Sequence, residues 1–173
     1  MKPVFNLAIA KPGLLTLGLI FVFSFSLPFE GHSQKSSKIK LKDLEKLLAD
    51  PADSLTVINF WATWCKPCVK EIPHFEATRK NLKNKSIRFW YISLDFADQQ
   101  KTRLDPFVKA KMNGARVFLL DEVDYNQWLN KIDSGWEGSI PVTLFVNNSK
   151  KIKKFVGNEL KEEQLNQIIS SFL

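Results

Sequence analysis

Apolar positions along the chain follow two rhythms, one with the period of a buried strand and one with the period of a helix. Leu55 to Ala62 is apolar apart from Thr56 and Asn59. A strand apolar on both faces belongs in the middle of a sheet that is covered on both sides. Ile87 to Leu94 is a second strand pattern, rich in aromatic and β-branched residues. Between them Val69, Ile72 and Phe75 recur at helical spacing as far as Leu82. Pro73 lies inside this helix and is expected to kink it, because its ring removes one backbone hydrogen bond. Upstream, Leu41, Leu44, Leu47 and Leu48 predict a helix that Asp50-Pro51 closes.

Downstream, Asp95 to Asp98 reads as a turn and helix cap. Leu104, Phe107, Val108 and Met112 predict a helix that stops at Asn113-Gly114, and Val117 to Leu120 a short strand. Tyr125, Trp128, Leu129 and Ile132 mark a brief helix, and residues 133–138 a loop that ends at Ser139-Ile140-Pro141. Val142 to Val146 and Lys151 to Val156 read as strands joined by Asn147-Asn148-Ser149 in a hairpin. Leu165, Ile168, Ile169 and Phe172 close the chain with an amphipathic helix. Early alternation of strands and helices implies parallel pairing through right-handed crossovers, and the late hairpin adds antiparallel strands. The fold class is α/β, a central mixed β-sheet with helices on both faces.

The first 33 residues are of another kind. Lys2 and Lys11 precede an uncharged apolar or small run from Leu14 to Leu27, which Pro28 ends. That run is shorter than the ~20 residues of a comfortable membrane helix. Gly31 and Ser33 stand as small residues before Gln34, so residues 1–33 read as a secretory signal peptide or a retained anchor. Residues 34–40 are polar and read as a flexible lead-in to a domain over 41–173. Export is expected either way, to a periplasmic or other extracytoplasmic location, with the membrane touched only through the N-terminal segment.

Charge narrows the picture further. The 173 residues carry a formal charge of +7, and those after residue 33 carry +6. Basic residues are interleaved with acids, as in Lys42-Asp43-Leu44-Glu45-Lys46, so no nucleic-acid partner is expected. The cluster Lys150, Lys151, Lys153 and Lys154 suits an edge strand guarded by lysines. The hydrophobic content of 45% builds a core without disulfide staples.

Both cysteines of the chain, Cys65 and Cys68, lie where the first strand pattern gives way to the helix. A thiol at a helix N-terminus has a lowered pKa, because free backbone N–H groups and the helix dipole favour the thiolate. Zinc needs about four Cys or His ligands, and only His74 accompanies the two cysteines, so no metal and no cofactor are expected.

Phe60-Trp61-Ala62-Thr63-Trp64-Cys65-Lys66-Pro67-Cys68 resembles the thioredoxin active site. With Lys70-Glu71-x-Pro73, it resembles more narrowly the exported TlpA/ResA-like thiol–disulfide oxidoreductases. Ser139-Ile140-Pro141-Val142-Thr143 resembles the cis-proline loop of that family, and the likeness runs from about residue 41 to the C-terminus.

The resemblance implies a thioredoxin-like fold, with Cys65 as nucleophile and Cys68 as the resolving thiol. Glu71, three residues after Cys68 and on the same helix face, is implied as its proton acceptor or donor. Trp64, Lys66, Pro67, Ile140 and Pro141 are implied at the substrate surface, with Pro141 cis. Asn59 departs from thioredoxin, which has a buried aspartate there, and this strengthens the case for Glu71. Asn59, Trp61 and Pro73 are expected in supporting positions.

Disulfide-containing or dithiol proteins are the partners implied, together with a membrane electron relay if the protein is a reductase. Cytochrome c maturation is one such setting. Oxidase or isomerase activity at the same pair, or a binding module with a static disulfide, remain alternatives. A peroxidase on this fold would place a single reactive cysteine in a different motif.

Overall fold

A computed structural model of the protein describes residues 35–83 and 85–173; the leader expected over 1–33 lies outside the described residues. Six strands form one sheet: β1 (Ser37–Ile39), β2 (Leu55–Trp61), β3 (Ile87–Ser93), β4 (Arg116–Leu120), β5 (Val142–Asn147) and β6 (Ile152–Val156), in the order β1-β4-β3-β2-β5-β6. β1, β4, β3 and β2 run parallel, whereas β5 and β6 are antiparallel to their neighbours. The helices are α1 (Leu41–Leu48), α2 (Lys66–Asn81), α3 (Asp105–Lys111), α4 (Leu129–Ile132) and α5 (Glu162–Ser170). The mixed sheet and the two helical layers match the expected class. Among the described residues no helix is long and apolar enough to cross a membrane.

All seven residues of β2 are buried, as its double-faced apolar pattern requires. Alternation along the strand divides the core. Leu55, Val57 and Trp61 pack with Ile72, Phe75, Val108, Leu165 and Ile169 beneath α2, α3 and α5. Ile58 and Phe60 pack on the opposite face with Leu44, Trp128, Ile132 and Trp136, beneath α1 and α4. Asn59 therefore points to the α2 side between two apolar neighbours. At the far edge, β6 presents exposed Lys153 and Lys154, the guarded edge that the lysine cluster implied.

Three local expectations need correction. Composition makes residues 34–40 a flexible lead-in, yet Ser37–Ile39 pairs in register with Phe118–Leu120 as the other edge strand. Ser36 is buried, and its N–H and hydroxyl both donate to Asp105 Oδ1, at 2.9 and 2.7 Å. The lead-in is held by a partner 69 residues away, which local composition does not disclose.

The helix expected from Leu104 starts instead with a 3-10 turn (Ala97–Gln99) and a π turn (Gln100–Leu104). Pro106 has no N–H to bond Thr102 in α-helical register, and the Asp105 N–H bonds Gln100 one residue further back. The hairpin turn lies one residue later than expected, since Asn147 still belongs to β5 and Lys151 takes a positive φ of 55°.

α2 stays a single helix through Pro73. Lower on this helix, the buried Glu76 carboxylate accepts from Tyr91 Oη at 2.7 Å and from Arg79 Nε and Nη2 at 2.9 and 2.7 Å. Arg79 also donates to the Asn113 and Gly114 carbonyls, which ties α2 to the end of α3. Burial, and then the Glu76 charge, hold the Tyr91 phenol well above its ordinary pKa. Tyr91→Phe removes one donor to that carboxylate and should cost about 1.5 kcal/mol. Glu76→Ala leaves the buried phenol without its acceptor and the half-buried guanidinium without its carboxylate, and should cost more, about 2–3 kcal/mol. Urea unfolding of the two variants checks this order.

Candidate active site: a disulfide at a helix start and a buried carboxyl

β2 ends at Trp61, and the chain reverses through Thr63 and Trp64 before α2 begins. Cys65 is the N-cap of α2, with Lys66 and Pro67 opening its first turn. Proline suits that position, because the first N–H groups of a helix lack partners anyway. The Cys68 N–H donates to Cys65 Sγ at 3.3 Å, and a disulfide joins the two cysteines. Cys68 is completely buried and Cys65 nearly so, at 6% exposure, so the first sulfur is less open than an exposed turn would make it.

The Ile140 carbonyl oxygen lies 3.7 Å from Cys65 Sγ, and the Ile140–Pro141 bond is cis, as expected. In the dithiol form the Cys65 S–H can donate across that gap.

The turn is clamped by Asp95, which sequence alone suggested as a helix cap. Asp95 is buried, and its carboxylate accepts from the Thr63 N–H, the Thr63 hydroxyl and the Ser93 hydroxyl. The reason lies in the parallel pairing. β2 and β3 end side by side, with Trp61 opposite Ser93, so the two following loops meet. An Asp two residues after a strand is also a common turn signal, which hid this role.

Glu71 is fully buried on the face of α2 that carries Cys68. Its Oε1 accepts from Asn59 Nδ2 at 2.8 Å and its Oε2 from the Leu160 N–H at 2.8 Å. Asn59 Nδ2 also lies 3.3 Å from Thr143 Oγ1, its cross-strand partner on β5. Asn59 Oδ1 has no partner among the described residues. Reversing the amide would turn Oδ1 toward the same two side chains, an arrangement suited to a protonated Glu71. Neither Thr143 nor the Leu160 N–H was singled out from the sequence. Thr143 stood within the quoted loop motif, whereas a backbone donor has no residue-type signature.

Burial lifts the Glu71 pKa to about 7, against the two hydrogen bonds, which favour the charged form. Glu159 adds a smaller upward push, and Lys70 Nζ pairs with that neighbour at 2.8 Å. A carboxyl poised near neutrality can take up and return a proton at working pH.

The remaining expected residues divide. Trp64 is 48% exposed beside the disulfide, and Lys66 and Pro67 are exposed on the first turn of α2. Trp61 is fully buried against Phe107, with ring centroids 5.2 Å apart, and is a core residue. Pro73 is exposed and lines a groove between α2 and α3 with Val69 and Phe107.

A paired sulfur site at the start of a helix, capped by a cis-proline loop on a mixed sheet, defines the thioredoxin-like class. The AhpC/TSA family profile matches residues 22–155. The thiol–disulfide oxidoreductase ResA of Bacillus thuringiensis subsp. konkukian is 36% identical over 135 residues, 78% of this chain and 69% of that protein. A ResA of Bacillus cereus is 29% identical over 130 residues, 75% of this chain and 66% of its own length. The match thus spans about two thirds of such curated relatives.

Among solved structures, a thioredoxin-related protein from Neisseria meningitidis serogroup B shares the fold, with a TM-score of 0.60 and 22% identity over 72% of this chain and 88% of that one. StoA from Bacillus subtilis does so with a TM-score of 0.53 and 22% identity over 66% and 81%. The chain belongs to the AhpC/TSA family and, within the thioredoxin-like superfamily, is homologous to the TlpA/ResA-type thiol–disulfide oxidoreductases.

The sign of the Glu71 linkage is fixed by its raised pKa. Stability from this group is fully present below its unfolded value near 4.5 and is lost as pH rises through about 7. The loss should amount to roughly 3 kcal/mol by the linkage between pKa and free energy. Thermal unfolding of the oxidised protein between these limits should show that slope, and Glu71→Gln should flatten it.

Proposed function

We propose that the protein is an extracytoplasmic reductase of protein disulfides, with Cys65 as nucleophile, Cys68 as resolving thiol and Glu71 as the proton carrier. The observation that carries this reading is the Glu71 carboxyl, buried on the helix face of Cys68 with its pKa lifted to about 7. The Cys65 thiolate, favoured at the helix start, attacks one sulfur of a substrate disulfide. A mixed disulfide forms, and the other substrate sulfur leaves as a thiolate that takes a proton from water.

Cys68 gives its proton to the Glu71 carboxylate and attacks Cys65 Sγ. The mixed disulfide breaks, and the second substrate thiolate departs and takes up the proton that Glu71 held. Two electrons have then passed to the substrate, and the protein holds the Cys65–Cys68 disulfide seen here. A membrane dithiol relay would return it to the dithiol with two electrons and two protons. The TlpA/ResA-like resemblance makes apocytochrome c in cytochrome maturation the substrate favoured by this reading.

Cys68→Ser removes the resolving thiol, so mixed disulfides with substrate proteins should accumulate and release on treatment with dithiothreitol. Their absence would leave the exchange reading without support. Glu71→Gln should slow reduction roughly a hundredfold near neutral pH and erase the limb of the pH–rate profile near 7. An unchanged profile would reduce Glu71 to a packing residue. A reduction potential near about −120 mV, the range of strong oxidants, would overturn the reductase direction.

A further inference from the structure

A groove of about 360 Å3 opens beside the disulfide, lined by Trp64, Leu94, Tyr125, Leu129, Glu137 and Ile140, among others. Ile140 belongs both to the groove and to the contact with Cys65 Sγ. A chain that places a cysteine against Cys65 therefore runs its flanking residues into this space. Trp64 and Tyr125, at 48% and 39% exposure, are two of the five large apolar side chains left exposed among the described residues.

Tyr125 is backed by the buried Trp128, with ring centroids 5.6 Å apart. Gly138 holds a φ of +91°, and a Cβ there would come within 3.3 Å of Leu129 Cδ1, so glycine keeps the floor clear. The groove thus has aromatic and aliphatic walls.

Its charge is the opposite of the chain's. Glu137 is the only charged residue that lines it, and among the described residues this carboxylate has no hydrogen-bond or ion-pair partner. An aliphatic stem between aromatic faces, with a positive head at a carboxylate, fits these walls better than an acid or a plain apolar side chain.

We propose that the groove is a specificity subsite that receives a lysine or arginine side chain flanking the target cysteine of the substrate protein. This inference rests on the exchange reaction proposed above. Glu137 and Tyr125 set the preference, Glu137 by its charge and Tyr125 by its ring.

The test uses the dithiol form of the protein and a set of peptides. Each holds one cysteine as its mixed disulfide with 2-mercaptoethanol, flanked two residues away on both sides by Lys, Arg, Gln, Leu or Glu. Second-order rate constants for reduction should be about three- to tenfold higher for Lys and Arg than for Gln, and lowest for Glu. High salt should narrow the spread. Glu137→Gln should compress the Lys-to-Glu ratio and Glu137→Lys should invert it. Tyr125→Ala should bring Arg toward Gln.

Equal rates across the set, a lead for the Leu peptide, or an order unchanged in Glu137→Lys would overturn the inference. A lead for the Glu peptide would overturn it too, pointing to the exposed Lys66 as the dominant charge. Bis(2-hydroxyethyl) disulfide, small and neutral, separates the two readings. Reduction of it without any peptide preference overturns the subsite alone, and failure on it and on every peptide overturns the exchange reaction with it.

Discussion

The contact on which the site depends is the one between a carboxyl on α2 and an amide on the central strand. Glu71 is fully buried, and among the described residues only Asn59 and the Leu160 N–H meet its oxygens. Those two donors come from β2 and from the loop ahead of α5, so three separate elements converge on one side chain. A carboxylate in an apolar site is expensive to ionise, and two hydrogen bonds offset part of that cost. With fewer donors the group would stay protonated at neutral pH, and with a cation in place of Asn59 it would stay ionised. The balance leaves it able to do either.

Asn59 fits this balance because it is neutral and two-sided. An aspartate at the same position would put a second carboxyl against Glu71, and like charges at hydrogen-bond distance cannot both ionise readily. The amide instead offers a donor to a carboxylate and, reversed, an acceptor to a carboxyl. Its second oxygen neighbour, Thr143 Oγ1, can donate or accept, so it tolerates both orientations. One substitution in the strand and one glutamate on the helix therefore act as a unit.

Much of this was legible in the residues. The apolar run of β2 announced a central strand, and Cys65 to Cys68 followed by Val69, Ile72 and Phe75 announced a helix that begins at the cysteines. Ile140-Pro141 carried its own loop motif. What stayed hidden shares one physical cause, which is dependence on a distant partner. Ser37-Lys38-Ile39 is too short and polar to read as a strand, and only pairing with β4 and the bonds from Ser36 to Asp105 make it one. Asp95 reads as a turn residue until β3 is laid beside β2. The Leu160 N–H is a backbone group, and only the fold decides what it faces. Tyr125 and Glu137 looked like a helix marker and a loop residue because the groove exists only once both flank Trp64.

The polarity of the strands explains why all these parts meet at one end of the sheet. β2 and β3 are parallel, so their carboxyl ends deliver Thr63 to Cys65 and Asp95 together, where ligand sites of α/β sheets generally form. β5 is antiparallel to β2, so its amino end, with Ile140 and Pro141 just before it, arrives at the same edge. A fully parallel sheet would carry that loop to the opposite end, away from the sulfur. The mixed sheet thus places the thiol pair, its clamp and the facing backbone carbonyl at one opening, while Glu71 is held within the layer beneath. The packing that buries the proton site completely leaves Cys65 slightly exposed, with the Ile140 carbonyl against its sulfur.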